Sequence, residues 1–153
     1  MPPDLDAQRA AMKKVSFLVG KWSGQARMLR QGGEWIEAAQ TEDAQFKLDG
    51  LILTIEGVGR ALTDGKPVLQ AFGILSYENE RQSYKLRAFN DGRFLETDVQ
   101  LIEDGRGLTW GFTLGEYRTS AVLRMDEKNQ WTEIHEIAIG AQPPRKFMEV
   151  ICR

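Results

Sequence analysis

From Trp22 onward the chain is cut at short, regular intervals by turn residues, and no interval is long enough to hold both a strand and a crossover helix. The cuts fall at Gly32-Gly33, Asp49-Gly50, Asp64-Gly65-Lys66-Pro67, Glu78-Asn79-Glu80, Asn90-Asp91-Gly92, Asp104-Gly105, Gly115, Asp126 to Gln130 and Gly140 to Pro144. Asp-Gly pairs reach the positive φ angles that tight hairpin turns require. Between the cuts, apolar and polar residues alternate. This reading gives about ten strands: 21–30, 34–48, 51–62, 67–77, 82–89, 93–103, 107–114, 117–125, 131–139 and 145–152. Connections this short force neighbouring strands to pair antiparallel. Left open, such a meander would expose two long sheet edges; closed into a ring, it has none. The expected fold is all-β, a single antiparallel β-barrel.

One segment follows a different rhythm. Leu5, Gln8, Ala11, Met12, Val15, Leu18 and Val19 recur near a 3.6-residue spacing, which predicts an α-helix over 4–19. Asp4 or Asp6 can cap its start and Gly20 can stop it. Its natural place is across one mouth of the barrel. The 153 residues then form one domain, with the helix at 4–19 and the barrel at 21–152.

Composition narrows the function classes. Twenty Lys and Arg stand against 22 Asp and Glu, a net charge of −2, so no broad electrostatic argument points to nucleic acid or to an anionic membrane. The one cysteine, Cys152, and the one histidine, His135, exclude an intrachain disulfide, a cysteine-histidine zinc cluster and any two-histidine mechanism. Residues 1–11 do not read as a secretory signal, and no apolar run approaches the ~20 residues of a membrane span, so a cytoplasmic location is expected. The phosphate-loop, dinucleotide, nucleophile-elbow and His-Glu-x-x-His patterns are all missing. Gly57-Val58-Gly59 lies inside a strand with no helix after it, which makes a poor phosphate cradle.

The segment Phe17-Leu18-Val19-Gly20-Lys21-Trp22-Ser23-Gly24 resembles the opening of lipocalin-like barrels, in which a short helix runs into Gly-x-Trp-x-Gly. Trp110-Gly111-Phe112, Gly115-Glu116-Tyr117-Arg118, Trp131 to Glu136 and Lys146-Phe147-Met148-Glu149-Val150 are similar to one bacterial family of lipocalin-like barrels of unknown function. The resemblance covers roughly 15–153. It implies a calycin-type barrel with an internal cavity and no established chemistry. More distantly, the chain is similar to the nitrobindin-like haem barrels. It departs from them at Ala26, where a third glycine would stand, and in the strand 145–153, which has no histidine.

Several side chains are candidates for function. Trp22 reads as a packing keystone at the closed end, flanked by Gly20 as a helix stop and Gly24 for a close strand approach. Trp131, Glu133, His135, Ile137 and Ile139 share one face of their strand. An inward His135 could orient a polar ligand or, in the nitrobindin-like alternative, hold a haem iron. Glu133 and His135 could begin a metal site, though nothing in the sequence nominates a third ligand. Arg87 and Arg118 could bind an anion or carboxylate, with Glu136 and Glu149 as partners. The resemblance implies inward positions for Arg118, Glu136 and Glu149. Inward carboxylates at Glu136 and Glu149 would also permit an enzyme that moves protons. Tyr84 and Trp110 are the aromatic residues expected to line a cavity. Cys152 reads as a small apolar residue. The expected function is a non-catalytic carrier of a small, partly apolar ligand held in the barrel, with a homodimer as a further expectation.

Overall fold

A computed structural model describes residues 2–153. Ten strands follow a short helix: β1 (Gly20–Leu29), β2 (Trp35–Lys47), β3 (Ile52–Ala61), β4 (Pro67–Glu78), β5 (Ser83–Asn90), β6 (Arg93–Leu101), β7 (Gly107–Leu114), β8 (Tyr117–Met125), β9 (Trp131–Ile139) and β10 (Arg145–Cys152). Each pairs antiparallel with its neighbour in sequence. β1 then pairs with β10, from Gly24 opposite Cys152 to Met28 opposite Met148, and the ring closes. The turn residues do what their chemistry suggests: Gly33, Gly50, Gly65, Gly92, Gly105, Gly115 and Gly140 all have positive φ.

The helix is shorter than its periodicity suggests. α1 spans Leu5–Lys13, capped by the Asp4 side chain, which accepts from the Ala7 N–H at 3.0 Å. The helix then tightens. Lys14 N donates to Ala11 O and Val15 N to Met12 O, bonds that span three residues instead of four. After Val15 breaks the helical dihedrals, Ser16–Leu18 forms one 3₁₀ turn. Gly20 is therefore not the helix stop; at φ 142° it opens β1. The tighter turn lets the chain leave the barrel mouth and enter the wall within a few residues.

The helix covers one end of the ring. Met12, Val15 and Leu18 are fully buried against Leu53, Leu75, Leu123, Trp131 and Cys152. Trp22 donates its indole N–H to Leu18 O at 2.9 Å and packs its ring against Trp131, with centroids 5.8 Å apart. Tyr84 packs edge-on against Tyr77 and donates its hydroxyl to Ala11 O at 2.7 Å, fixing the helix to β5. Asn79, in the β4–β5 turn, accepts from the Asp4 backbone and from the Gln8 side chain. Removing the hydroxyl with Tyr84→Phe should cost about 1 kcal/mol and lower Tm by roughly 2–4 °C, measured by thermal denaturation.

The wall separates two environments. The outer face carries a charged ladder in which Lys85 and Arg87 of β5 meet Glu78 of β4 and Glu96 of β6 at 3.3–3.7 Å. It also carries an exposed aromatic row, Phe72, Phe89 and Phe94, paired across β4, β5 and β6. The inner face of β1 to β5 carries many small residues: Ala26, Ala38, Gly57, Gly59, Ala61, Ala71, Gly73 and Ala88 lie on it.

Candidate functional site

Strand alternation places Ala38, Gln40, Glu42 and Ala44 of β2 on the inner face. Buried polar groups need room and partners. Their room comes from β3, where Gly57 sits opposite Glu42 and Gly59 opposite Gln40. A Cβ on Gly57 would stand 2.7 Å from Glu42 Oε2, and one on Gly59 would stand 2.6 Å from Gln40 Oε1. Any side chain at either glycine would displace the polar group opposite. Gln40 Nε2 donates to Glu42 Oε1 at 2.9 Å, while Gln40 Oε1 is buried and has no partner.

On the other side of the seam, β9 contributes Trp131, Glu133 and His135, as the shared face predicts. Both oxygens of Glu133 are engaged. Trp131 donates its indole N–H to Oε2 at 2.7 Å, and His135 Nε2 lies 2.9 Å from Oε1. In the tautomer whose Nε2 carries the hydrogen, that hydrogen points at Glu133 and Nδ1 is left as an acceptor. The His135 ring meets the edges of Trp110 and Phe147, with centroids 6.0 and 5.9 Å away. Phe147 reaches the interior because a register shift between Lys146 and Met148 breaks the strict alternation of β10.

The two halves of this cluster feel each other. Burial pushes the Glu42 carboxyl up to about 9, and the neighbouring charge of Glu133 adds to the effect. At neutral pH, Glu42 therefore holds its proton. Burial, with help from the same two carboxyls, pushes the Cys152 thiol up to about 12. Its sulfur lies 3.7 Å from Gln40 O. A protonated, buried thiol is no nucleophile, so Cys152 behaves as the small apolar residue its position suggests.

The structure separates the candidate residues cleanly. His135 and Trp110 face the interior beside Glu133. Tyr84 is also inward, but its hydroxyl is used by the helix at the closed end. Arg87 is on the outer face, in the ladder with Glu78 and Glu96. Arg118, Glu136 and Glu149 do not take the inward positions that the resemblance implies. Arg118 donates to Gly140 O at the rim. Glu136 pairs in register with Ser120 and Lys146, on the side that leaves Ile134 exposed. Glu149 faces Arg27 and Lys146, and its carboxyl is held below the usual range mainly by the Lys146 hydrogen bond. The reason is parity: each lies an odd number of residues from an inward neighbour on its strand. The interior carboxylates are Glu42 and Glu133, so a proton-transfer site at Glu136 and Glu149 is not assembled.

Among the described residues, no three His, Cys, Asp or Glu side chains lie close enough to hold a metal ion. His135 Nε2 faces Glu133, and aromatic edges flank the ring on two sides. Two clefts lie outside the ring, one between the β1–β2 and β3–β4 turns and one along β1, and neither is lined by Gln40, Glu42, Glu133 or His135.

Comparison with known proteins bears on the fold. No protein-family model matches the chain, and no curated protein matches it. Among solved structures, it is similar to the crystal structure of Rv2717c from M. tuberculosis, with a TM-score of 0.68 and 16% sequence identity, over 94% of this chain and 96% of that one. At that identity the likeness is one of architecture. No helix among the described residues is long and apolar enough to cross a membrane.

Proposed function

We propose that the protein binds a small, partly apolar molecule in the barrel, through the mouth opposite the helix. One observation carries this reading. In a closed ring, an inward side chain that keeps solvent exposure must face an open interior. Ala71, Ala88, Thr97, Trp110, Phe112, His135 and Phe147 are all inward or packed on the inward face, and all are only partly buried. Residues on the same faces nearer the helix, such as Leu53, Leu75, Val99 and Trp131, are buried. On this reading the interior is filled at the helix end and opens as a cup along β4 to β10 toward the other, while Ala26, Ala38, Ala61 and Leu69 close it along β1 to β4. The cup has small aliphatic and aromatic walls and a polar floor of Gln40, Glu42, Glu133 and His135. A few polar groups in an otherwise apolar concavity are the usual make-up of a small-molecule site. The calycin-type resemblance supports the same reading, and the cup calls for no catalytic step.

The test uses phenylnaphthylamine, a neutral apolar dye that fluoresces when it leaves water. The parent protein is expected to light it with saturable, one-to-one titration. Ala71→Phe puts a ring in the cup beside Gly57 and is expected to weaken binding by roughly tenfold or more while the protein still unfolds cooperatively. Unchanged binding in the folded variant would place the dye outside the cup and end the proposal.

A further inference from the structure

The floor of the cup is rich in acceptors, and its one donor without a fixed partner is the hydroxyl of protonated Glu42, which is lost when a cation arrives. Among the described residues, the buried polar side chains are Gln40, Glu42 and Glu133, and no lysine or arginine is buried. Every fixed donor of the cluster is already used within it. Gln40 Nε2 is on Glu42, the Trp131 indole is on Glu133, and His135 Nε2 is on Glu133. What is left over is Gln40 Oε1, fully buried and unpartnered, together with the Glu42 carboxyl and His135 Nδ1. Unpaired acceptors in a low-dielectric site favour a ligand that brings donors and positive charge, and they disfavour an anion. The walls above them, Trp110 and Phe147, offer aromatic surface to an apolar body.

We propose that the ligand class is a protonated primary amine with an apolar body, its N–H groups on Gln40 Oε1 and the Glu42 carboxyl and its hydrocarbon against Trp110 and Phe147. This rests on the cup reading above and goes further by naming the head group.

The arrangement couples binding to proton release. In the free protein Glu42 carries a proton, because burial and Glu133 both oppose its charge. The titratable groups that act on it are Glu133 on β9 and Cys152 on β10; the residues paired with it, Trp22 on β1 and Gly57 on β3, carry no charge, and no buried cation offsets it. An incoming ammonium supplies the missing countercharge. The O–H bond of Glu42 then breaks, the proton leaves to solvent, and an ammonium–carboxylate pair remains. Charge balances: one positive ligand enters and one proton leaves.

Calorimetric titration of the full chain with phenethylamine, phenylethanol, phenylpropionate and phenethyltrimethylammonium separates the contributions. Phenethylamine is expected to bind roughly tenfold or more tightly than the alcohol, which has one donor and no charge. It should also outbind the trimethyl form, which has charge and no donor, and the carboxylate should bind weakest. Buffers of different ionisation heat, at about pH 7.5, should report about one proton released per amine bound. Below about pH 9, amine affinity should rise by about tenfold per pH unit in the parent protein, a readout that needs no variant. In Glu42→Gln the amine preference and the proton release should both disappear. An amine that binds no better than the alcohol, or binds without proton release, overturns the ammonium assignment; if the alcohol still binds and Ala71→Phe blocks it, the cup reading survives. If none of the four probes binds, the amine proposal fails, and the dye titration decides the cup reading separately.

Discussion

Gly24→Ala is expected to break the seam that closes the ring. A Cβ at Gly24 would stand 2.0 Å from the carbonyl oxygen of Ile151 and 2.8 Å from the Cα of Cys152. Both atoms belong to the β10 backbone, so no side-chain rotation relieves the clash. The two strands must separate, and the pairs from Gly24 with Cys152 to Met28 with Met148 are the ladder they would lose. Unlike an open sheet, a ring has no spare edge on which to re-pair. The cost is expected to exceed about 4 kcal/mol, the range reserved for specific structural faults. For a domain of this size, that lowers Tm by roughly 10 °C or more. Gly32→Ala is the control, because its Cβ would meet nothing within 4 Å. Thermal unfolding followed by circular dichroism compares the two. Equal melting temperatures would mean that the seam is not closed as described.

Stability is expected to fall as pH rises, over an unusually wide window, because of Glu42. In the unfolded chain its carboxyl ionises near 4.5, whereas in the folded chain it keeps its proton up to about 9. Between those values the folded state binds more protons than the unfolded state. The Glu42 contribution is therefore complete below about pH 4.5 and is lost progressively up to about pH 9. The limiting slope is ~1.4 kcal/mol per pH unit. Glu42→Gln keeps the shape, cannot ionise and should flatten this slope. At about pH 8 it should be more stable than the parent by about 2 kcal/mol or more, because the parent alone must hold a proton on Glu42 to fold. Urea denaturation at a series of pH values measures this. A parent curve that is flat across the window, or a variant that keeps the slope, would show that Glu42 is not a buried acid.

Much of the wall is legible in the sequence. Turn chemistry at Asp49-Gly50 or Asn90-Asp91-Gly92 is local, so strand limits could be placed within a residue or two; β7 to β10 have the expected bounds. The need to hide two edges then demanded closure, and the close approach read into Gly24 is the seam itself. The end of the helix was less legible. The spacing of Val15, Leu18 and Val19 fits a continuing helix, and only the demand to reach β1 converts it to a 3₁₀ turn.

The polar floor was legible only in part. Glu133 and His135 stand out because they alternate in an apolar strand. Gln40 and Glu42 do not, because Trp35–Lys47 carries polar residues on both faces and its inward side cannot be picked without the register. The available signal was Gly57 and Gly59, spaced like Glu42 and Gln40 in the next segment, but it becomes a signal only once the two strands are known to pair. The outer ladder misled in the opposite way. Arg87, Arg118, Glu136 and Glu149 sit in apolar surroundings in sequence, yet each is on the wet side, where exposed ion pairs add little to stability.

The closed end gathers both ends of the chain. α1 begins beside Asn79 of the β4–β5 turn, and Arg153 exchanges backbone hydrogen bonds with Ser23 near the base of β1. A tether at either terminus, whether a bead, a sensor surface or a fused protein, therefore attaches behind the helix and points the mouth outward. Immobilised molecules would all present the same face to a flowing solution, with the polar floor at the bottom of each.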